Sequence, residues 1–273
     1  MKTAVLMTCH NRKETTVRCL QCLLPQLGSE DRVFLVDDGS TDGTGEAAKR
    51  MFECSNVRNG RVIQGDGNLF WAKGMALAWE TAEREGPWDF YLWLNDDVAL
   101  RKDALNTLHK DWKVCGDLRG VVVGVCAQDE AETVSSYSAT TSCDVQIEPN
   151  GVSPQQADGW FNGNCVLMPR CTYEQVGMVS NEYTHARADY DYAERLKRNG
   201  TPFFASSRFV GVCRKDFNEK VCNRPLGERI RMLWKPGYFN LHDLFLFRYR
   251  YYGLVRAIIS CAHMIVIVLK GCP

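Results

Sequence analysis

The chain has 273 residues, of which 45% are hydrophobic and 24% charged, and its formal net charge is zero. This length and composition suit one α/β domain with an appendage, and they exclude a long disordered chain. The charge is uneven, because residues 208–273 carry 12 Lys and Arg against 4 Asp and Glu, and such a basic segment indicates an anionic partner, either a membrane surface or a nucleic acid.

The 13 cysteines are interpreted as reduced thiols rather than as disulfides. Residues 1–10 do not contain the long apolar region and small-residue cleavage site of a secretory signal. Cys19 and Cys22 have the spacing of a metal-binding pair, but no second pair follows at the distance of a zinc ribbon. We therefore expect a cytosolic protein.

Strand and helix patterns alternate through the first half of the chain. The expected strands are short apolar runs, at 4–7, 33–36, 62–63, 90–94 and 121–126. The expected helices lie around 17–24, from about Thr41, at 72–85 and at about 102–114. This alternation predicts a parallel sheet with right-handed crossovers, in which ligands bind beyond the carboxyl ends of the strands. Polar clusters follow the first, second and fourth strands, so we expect one site at that edge.

From about Glu130 the pattern changes to shorter pieces rich in Ser and Thr. A strand is expected at 165–168 and a helix at about 188–199, which Gly200 and Pro202 would stop. The composition becomes basic and aromatic after Arg208, where we place a boundary.

Asn95-Asp96-Asp97 ends the strand at 90–94. Two acids at the end of a hydrophobic strand are costly to bury unpaired. A Mg²⁺ or Mn²⁺ ion that bridges them to a diphosphate would offset this cost, because both ions favour carboxylate and phosphate oxygens. The alternative is a helix N-cap with acids in the first turn, and this stretch alone favours neither.

Asp37-Asp38 ends the strand at 33–36, at a place where dinucleotide folds bind a ribose hydroxyl. An Asx-type turn explains the same two residues equally well. The stretch 65–68, followed by Lys73-Gly74, is a glycine-containing loop that enters a helix and matches no phosphate-loop pattern.

Asp189 and Asp191 open the helix at 188–199, where the helix dipole is the plain explanation for acidic residues. Arg195 lies four residues after Asp191 and is expected to pair with it. Asp189 then remains available as a candidate general base.

Taken together, these stretches resemble the family-2 glycosyltransferases over roughly residues 3–212. The resemblance rests on six short motifs in order: VLMTCHNR at 5–12, VDDGSTDG at 36–43, the segment 68–74, LNDDV at 94–98, NGN at 162–164 and D-x-D-Y-x-x-R from 189. Bacterial rhamnosyltransferase-like enzymes of surface-polysaccharide assembly are the most similar in character. The resemblance implies the GT-A fold, which is a Rossmann-like, mostly parallel central sheet flanked by helices.

The resemblance also implies an activity, in which a sugar is moved with inversion from a UDP- or dTDP-sugar to the hydroxyl of a glycan or lipid-linked acceptor. It implies that Asp189 is the catalytic base and that Asp97 binds the Mn²⁺ or Mg²⁺ ion. The implied donor-binding residues are Thr8, Asn11, Arg12, Asp38, Asn68, Lys73 and Asp96. The expected acceptor-binding residues are Trp160, Asn162, Gly163 and His185. The sequence departs from the family pattern at Asn95 and Ala188, each of which replaces an acid.

The expected domain organisation is a catalytic domain at 1–207 and a basic, aromatic, helical segment at 208–273. The catalytic domain would consist of a donor half at about 1–127 and an acceptor half at about 128–207. In the C-terminal segment, the apolar stretch 257–269 is too short to span a bilayer as a helix.

Aromatic and arginine residues precede that apolar stretch, namely Phe245, Phe247, Tyr249, Tyr251 and Tyr252 with Arg248, Arg250 and Arg256. This pattern favours a helix lying in an anionic membrane interface, at the inner face of the cytoplasmic membrane, over a tail packed on the body or on a second subunit. No recognisable nucleic-acid-binding module accompanies it, so no nucleic acid is expected as a partner.

Two other functions are open. A sugar-phosphate nucleotidyltransferase also uses an α/β fold with metal-binding acids, but it normally has a Gly-rich loop after the first strand, and residues 8–12 contain no glycine. A catalytically silent membrane scaffold is the second alternative, and the presence of Asp38, Asp97 and Asp189 argues against it.

Overall fold

The computed structural model describes residues 1–55, 60–215 and 224–271. Residues 216–223 and 272–273 of the expected C-terminal segment lie outside these ranges. The strands are β1 (Thr3–Cys9), β2 (Arg32–Asp37), β3 (Arg61–Gln64), β4 (Phe90–Leu94), β5 (Ala99–Leu100), β6 (Val121–Ala127), β7 (Ser135–Tyr137), β8 (Gln155–Ala157), β9 (Cys165–Pro169) and β10 (Phe203–Val212). The helices are α1 (Lys13–Leu23), α2 (Thr44–Cys54), α3 (Phe70–Glu85), α4 (Ala104–Val114), α5 (Arg170–Val176), α6 (Ala188–Arg198), α7 (Leu226–Met232) and α8 (Leu241–Lys270).

One twisted sheet runs through the molecule in the order β3-β2-β1-β4-β9-β6-β10-β5, with β7 on β6 and β8 on β10. The first four strands of this order are parallel, as the alternating pattern predicted. Strand β9 is inserted antiparallel between β4 and β6, and β10 returns parallel to β6. The sheet is therefore Rossmann-like in its first half and mixed in its second.

Both faces of the sheet are covered by helices, which explains the continuous apolar runs of its central strands. Along β1, Leu6 belongs to the hydrophobic cluster that contains α3, whereas Val5 and Met7 belong to the cluster that contains α1 and α4. All three side chains are fully buried. Trp79 and Trp93, also fully buried, pack edge to face at 5.8 Å between α3 and β4.

The strand register brings the polar clusters to one edge of the sheet. Cys9 at the end of β1 lies opposite Asp37 at the end of β2, and β4 runs parallel to β1 on its other side. Helix α3 starts directly over the end of β1, because a Cβ on Gly74 would lie 2.4 Å from Oγ1 of Thr8. The carboxyl ends of β2, β1 and β4 thus meet beneath the first turn of α3.

The expected boundary at Arg208 lies inside β10, which runs from Phe203 to Val212 and pairs with β6 along this length. The change in composition there comes near the end of the sheet, and the strand itself belongs to the sheet. The two register irregularities between Ala205 and Gly211 explain why this strand has no simple alternating pattern.

Helix α8 is interrupted at Gly253 (φ 81°, ψ 172°), which separates an inner part, residues 241–252, from an outer part, residues 254–270. The inner part packs on the body, where Phe247 is 3% exposed within the large cluster on the α3 face. The outer part folds back, and its Met264 and Val268 contact Leu244 and Leu233.

By length and composition alone, α8 is apolar enough to cross a membrane, with a mean hydropathy of 2.0 over its most apolar window. The sequence had indicated a shorter apolar stretch, because arginines and tyrosines interrupt the inner part. The break at Gly253 leaves each part shorter than the roughly 20 residues that a spanning helix needs.

Candidate active site

A cavity of about 730 Å³ lies at the carboxyl edge of β2, β1 and β4. Its lining includes residues that the sequence predicted from well-separated motifs, namely Thr8, Arg12, Asp38, Asp96, Asp97, Asn162, Gly163, His185 and Asp189. Four of these are carboxylates: Asp38 follows β2, Asp96 and Asp97 follow β4, and Asp189 opens α6. The structure therefore brings the acidic motifs to one place.

Four of the predicted binding residues do not line this cavity. Asn11 uses its side-chain oxygen to accept the backbone N–H of Thr41 at 2.8 Å, which fixes the loop after β1. Asn68 is exposed and donates its amide to the backbone of Asp66. Lys73 is half-buried on α3, and Trp160 lies behind the cavity wall, stacked on Tyr190 at 4.9 Å. Trp160 thus supports the wall indirectly.

Arg12 bridges the two acids after β4. Its Nη1 lies 3.0 Å from Oδ1 of Asp96 and 3.0 Å from Oδ2 of Asp97. The side chain of Asp96 is 5% exposed, and its second oxygen accepts the hydroxyl of Thr16 at 3.1 Å. Burial raises the pKa of Asp96 to about 6, although Arg12 opposes this shift. Asp96 is therefore buried and has both of its carboxylate oxygens bonded, to Arg12 and to Thr16.

Asp97 is the more accessible of the two acids. Its side chain is 26% exposed, and its Oδ1 lies 3.4 Å from the thiol of Cys213 at the end of β10. Among the described residues, no group of three or more His, Cys, Asp and Glu side chains is arranged to hold a metal ion. Mg²⁺ and similar ions are commonly held by one or two carboxylates together with substrate phosphates. Asp97 fits an ion that arrives with a diphosphate.

Asp38 is committed to the backbone of the loop between β3 and α3. The side chain is 2% exposed. Its Oδ1 accepts the N–H of Gly67 at 2.8 Å, and its Oδ2 accepts the N–H groups of Leu69 and Phe70, both at 2.9 Å. Asp37 instead accepts the N–H of Ser40 at 3.1 Å, as in an Asx-type turn. The two neighbouring acids thus have different structural tasks.

Asp189 lies in the first turn of α6 at the opposite wall. Its carboxylate accepts the N–H groups of Gly163 at 3.2 Å and Tyr190 at 2.9 Å. Burial raises its pKa to about 6. The predicted pair between Arg195 and Asp191 is confirmed, with Nε and Oδ2 3.0 Å apart. Asp189 is left half-buried at the cavity, ionised near neutral pH and open to a further hydrogen bond.

Several lining residues were not predicted from the sequence. Phe70 and Trp71 begin α3, and the indole N–H of Trp71 donates to Oδ1 of Asn95 at 2.7 Å. Arg187 lies over the rings of Tyr190 and Tyr238, at 5.3 and 4.8 Å from their centroids. Phe70 and Trp71 could have been noticed in the sequence because they are aromatic residues that directly follow the glycine-containing loop at 65–68. Tyr238 is brought in from the C-terminal segment by tertiary packing.

Solved structures similar to this one identify the fold. A mannosyltransferase, PcManGT from Pyrobaculum calidifontis in complex with GDP-Man and Mn²⁺, superposes with a TM-score of 0.57 and 17% identity, covering 99% of this chain and 72% of its own. S. aureus TarS 1–349 in complex with UDP-GlcNAc superposes with a TM-score of 0.59 and 13% identity, covering 100% and 82%. The chain has the GT-A fold of glycosyltransferases.

The sequence comparison then gives the family. The model of glycosyl transferase family 2 matches residues 4–220, so the chain belongs to that family. An N-acetylglucosaminyl-diphospho-decaprenol L-rhamnosyltransferase from Mycobacterium tuberculosis is 27% identical over 197 residues, which cover 62% of this chain and 61% of the relative. The glycosyltransferase GlyG from Streptococcus pneumoniae is 23% identical over 170 residues, covering 61% and 54%. The chain thus spans about three fifths or less of the curated relatives that it matches.

Proposed function

We propose that this protein transfers a sugar from a nucleoside diphosphate sugar to the hydroxyl group of a lipid-linked glycan, with inversion at the anomeric carbon. The observation that carries the proposal is the shared cavity of Asp97 and Asp189, which come from β4 and α6 and are far apart in sequence. One acid is placed for a cation and the other for an acceptor hydroxyl.

In this proposal Asp189 accepts the proton of the acceptor hydroxyl. As that proton leaves, the acceptor oxygen forms a bond to the anomeric carbon, and the bond from this carbon to the phosphate oxygen breaks. The two backbone N–H groups that Asp189 accepts fix its orientation toward the cavity. A pKa of about 6 leaves the carboxylate ionised at neutral pH while retaining basicity.

The leaving nucleoside diphosphate needs positive charge. A Mn²⁺ or Mg²⁺ ion held by Asp97 would, when bound, neutralise the negative charge that develops on the leaving diphosphate. The chain itself contributes Arg12, which keeps Asp96 and Asp97 together, and the exposed Arg214 and Lys215 at the cavity rim. The Mn²⁺ complex of the similar mannosyltransferase supports a divalent ion.

Three observations support the choice of substrates. The solved TarS structure is a complex with UDP-GlcNAc, which supports a donor with a pyrimidine base, either a UDP- or a dTDP-sugar. The mycobacterial relative is named for a lipid-linked diphosphate acceptor. The apolar outer part of α8 would bring the cavity to the cytoplasmic face of a membrane, where such an acceptor resides.

The test is a donor screen by mass spectrometry, with UDP-, dTDP- and GDP-sugars, Mn²⁺ or Mg²⁺, and lipid-diphosphate acceptors. We expect transfer or slow hydrolysis of one donor class, and no binding of any nucleoside diphosphate would refute the proposal. Pyrophosphate release from a nucleoside triphosphate and a sugar phosphate would instead identify a nucleotidyltransferase.

Two variants test the roles of the acids in that assay. Asp97→Asn should abolish metal-dependent turnover, and Asp189→Asn should stop transfer while nucleotide binding persists. The matched control is Asp103→Asn, an exposed acid before α4 that lies outside the cavity. Full activity in Asp97→Asn, or lost nucleotide binding in Asp189→Asn, would contradict the assigned roles.

A further inference from the structure

Phe70, the first residue of α3, has an unusual combination of backbone and side-chain environment. Its φ angle is +53°, in the left-handed region that bulky residues rarely adopt. Its side chain is 39% exposed and lines the cavity. Within the part of the chain that the structure describes, it belongs to none of the three hydrophobic clusters, although its neighbours Leu69 and Trp71 pack against one of them.

The strained conformation is imposed by the hydrogen bonds around it. Asp38 accepts the N–H groups of both Leu69 and Phe70, and Trp71 is tied to Asn95. A left-handed φ at a non-glycine residue destabilises the fold, and the exposed 39% of Phe70 gains nothing from burial to offset that cost. Glycine would satisfy the same backbone without strain. The part of the ring that remains exposed in the cavity is therefore available to contact a ligand.

The position of Phe70 along the sheet edge indicates what the ring contacts. Its backbone is bonded to Asp38 at the end of β2, whereas Asp97 follows β4 on the other side of β1. In the proposed complex the diphosphate lies near Asp97, so the nucleoside extends toward β2 and the loop that Asp38 anchors. An exposed aromatic face at that end suits a planar nucleobase, because every base has a π-face on which to stack.

We propose that Phe70 is a specificity-determining residue that stacks on the base of the donor nucleotide. This inference rests on the proposed function, and it deepens that proposal by assigning the base end of the cavity. Asp38 acts here as a positioning residue, since it sets the backbone that presents the ring.

Calorimetric titration with UDP and dTDP in the presence of Mn²⁺ tests the proposal, with inorganic pyrophosphate as the base-free probe. Phe70→Gly and Phe70→Leu should each weaken nucleotide binding on the order of tenfold, because neither side chain offers a π-face. Phe70→Tyr should bind as the wild type does. The affinity for pyrophosphate should be the same in all four proteins.

The thermal midpoint separates this role from a structural one. Phe70→Gly relieves the strained φ but removes a partly buried ring, so the two effects oppose each other and its Tm should stay within about 4 °C of the wild type. The control is Glu132→Gly, which relieves a similar φ of +54° on the loop after β6, outside the cavity, and should not change nucleotide affinity.

The outcomes are distinct. Unchanged nucleotide affinity in Phe70→Gly, or an equal loss for pyrophosphate, would overturn the stacking role, and so would a large fall in Tm with normal binding. If the wild type binds neither of these nucleotides nor GDP, the proposed function itself fails.

Discussion

Asp189 is a carboxyl group whose ionisation is opposed by the fold, since burial raises its pKa to about 6 from the ordinary value near 4. A general base must be ionised, so kcat/KM should fall about tenfold for each pH unit below about 6 and level off above it. The pH profile of transfer at saturating Mn²⁺ measures this. A profile that remains flat down to pH 5 would contradict the assignment of Asp189 as the base.

The same pKa shift predicts how stability depends on pH. Because the folded pKa lies above the unfolded one, the fold binds the proton more tightly, and stability is lost as pH rises from about 4 to about 6. Asp189→Asn has no carboxyl group to ionise in this pH range. Its unfolding free energy relative to the wild type should therefore rise between pH 4 and pH 8 by roughly 2–3 kcal/mol, and its Tm relative to the wild type should rise with it. A constant Tm difference across this range would show that the shift is absent.

Asp38 and Asp97 both line the cavity but should respond differently to the same substitution. In Asp38→Asn, one carboxylate oxygen becomes an amide N–H group that faces backbone donors now accepted at 2.8–2.9 Å. We expect a loss of about 2–3 kcal/mol of stability, since buried donors lose their partners. Asp97→Asn, at a more exposed side chain, should change the Tm little while abolishing Mn²⁺-dependent nucleotide binding.

Thermal unfolding and nucleotide titration of Asp38→Asn and Asp97→Asn measure these two expected effects. Asp38→Asn should unfold about 4–8 °C below the wild type, as that loss of free energy implies for a chain of this size. Equal Tm values for Asp38→Asn and the wild type would show that Asp38 does not anchor the loop and would favour direct nucleotide contact instead.

At the scale of elements, α8 is hydrogen-bonded to the wall of the cavity. Asp243, fully buried in its first turn, accepts the N–H groups of Thr184 and His185 at 3.0 Å each, and His185 lines the cavity. Further along, Arg250 and Tyr251 each donate to Oδ1 of Asp191 at 2.8 Å. The C-terminal helix thus holds both the loop before α6 and the helix that carries Asp189.

Asp243→Asn should loosen the loop that carries His185 and leave the donor side intact. We expect the KM for the acceptor to rise several-fold while the KM for the donor is unchanged, with a loss of about 1–3 kcal/mol of stability. Steady-state kinetics in both substrates measure this, and Glu228→Gln, an exposed acid on α7, is the control. A rise in the donor KM alone would contradict the assignment of this loop to the acceptor side.

The elements that the sequence predicted well are those whose pattern is local. Buried parallel strands are short apolar runs that end in polar residues, and β1, β2 and β4 follow that rule together with the acids after them. Strands of two or three residues, such as β5 and β7, have no period to detect.

The inner part of α8 shows the limit of such patterns. Alternating arginines and aromatics indicate a membrane interface, yet Arg250 pairs with Asp191 and Phe247 is buried in the core. These partners lie more than 50 residues away along the chain, so local spacing could not reveal them. Similarly, Asp38 was predicted at the site, but its bonds to the loop of Phe70 depend on the tertiary approach of two segments.

For the molecule as a whole, the distribution of exposed apolar surface predicts that it binds a membrane. The outer part of α8 exposes Leu254, Val255, Ile258 and Ile259 by 53%, 70%, 54% and 58%. The C-terminal segment that surrounds it has an excess of basic residues. An apolar helix face with nearby cations suits insertion into the headgroup region of an anionic bilayer.

Co-sedimentation with lipid vesicles tests this arrangement. The wild type should bind vesicles that contain phosphatidylglycerol more strongly than vesicles of phosphatidylcholine, and added salt should reduce that difference. Ile258→Glu combined with Ile259→Glu should reduce vesicle binding at least tenfold, because two charged groups replace apolar side chains that would be buried in lipid. Val152→Glu, at a side chain 86% exposed on the catalytic body, is the matched control and should bind as the wild type does.

The double variant Ile258→Glu, Ile259→Glu should keep its affinity for UDP or dTDP, because the outer part of α8 does not line the cavity. Its transfer to a membrane-embedded acceptor should fall, while transfer to a detergent-solubilised acceptor should persist. We expect this separation because the inner part of α8 packs on the body beside the cavity, whereas the outer part exposes an apolar face. Vesicle binding that survives both glutamates would assign the exposed face to another partner, and a parallel loss of nucleotide affinity would show that the outer part supports the cavity itself.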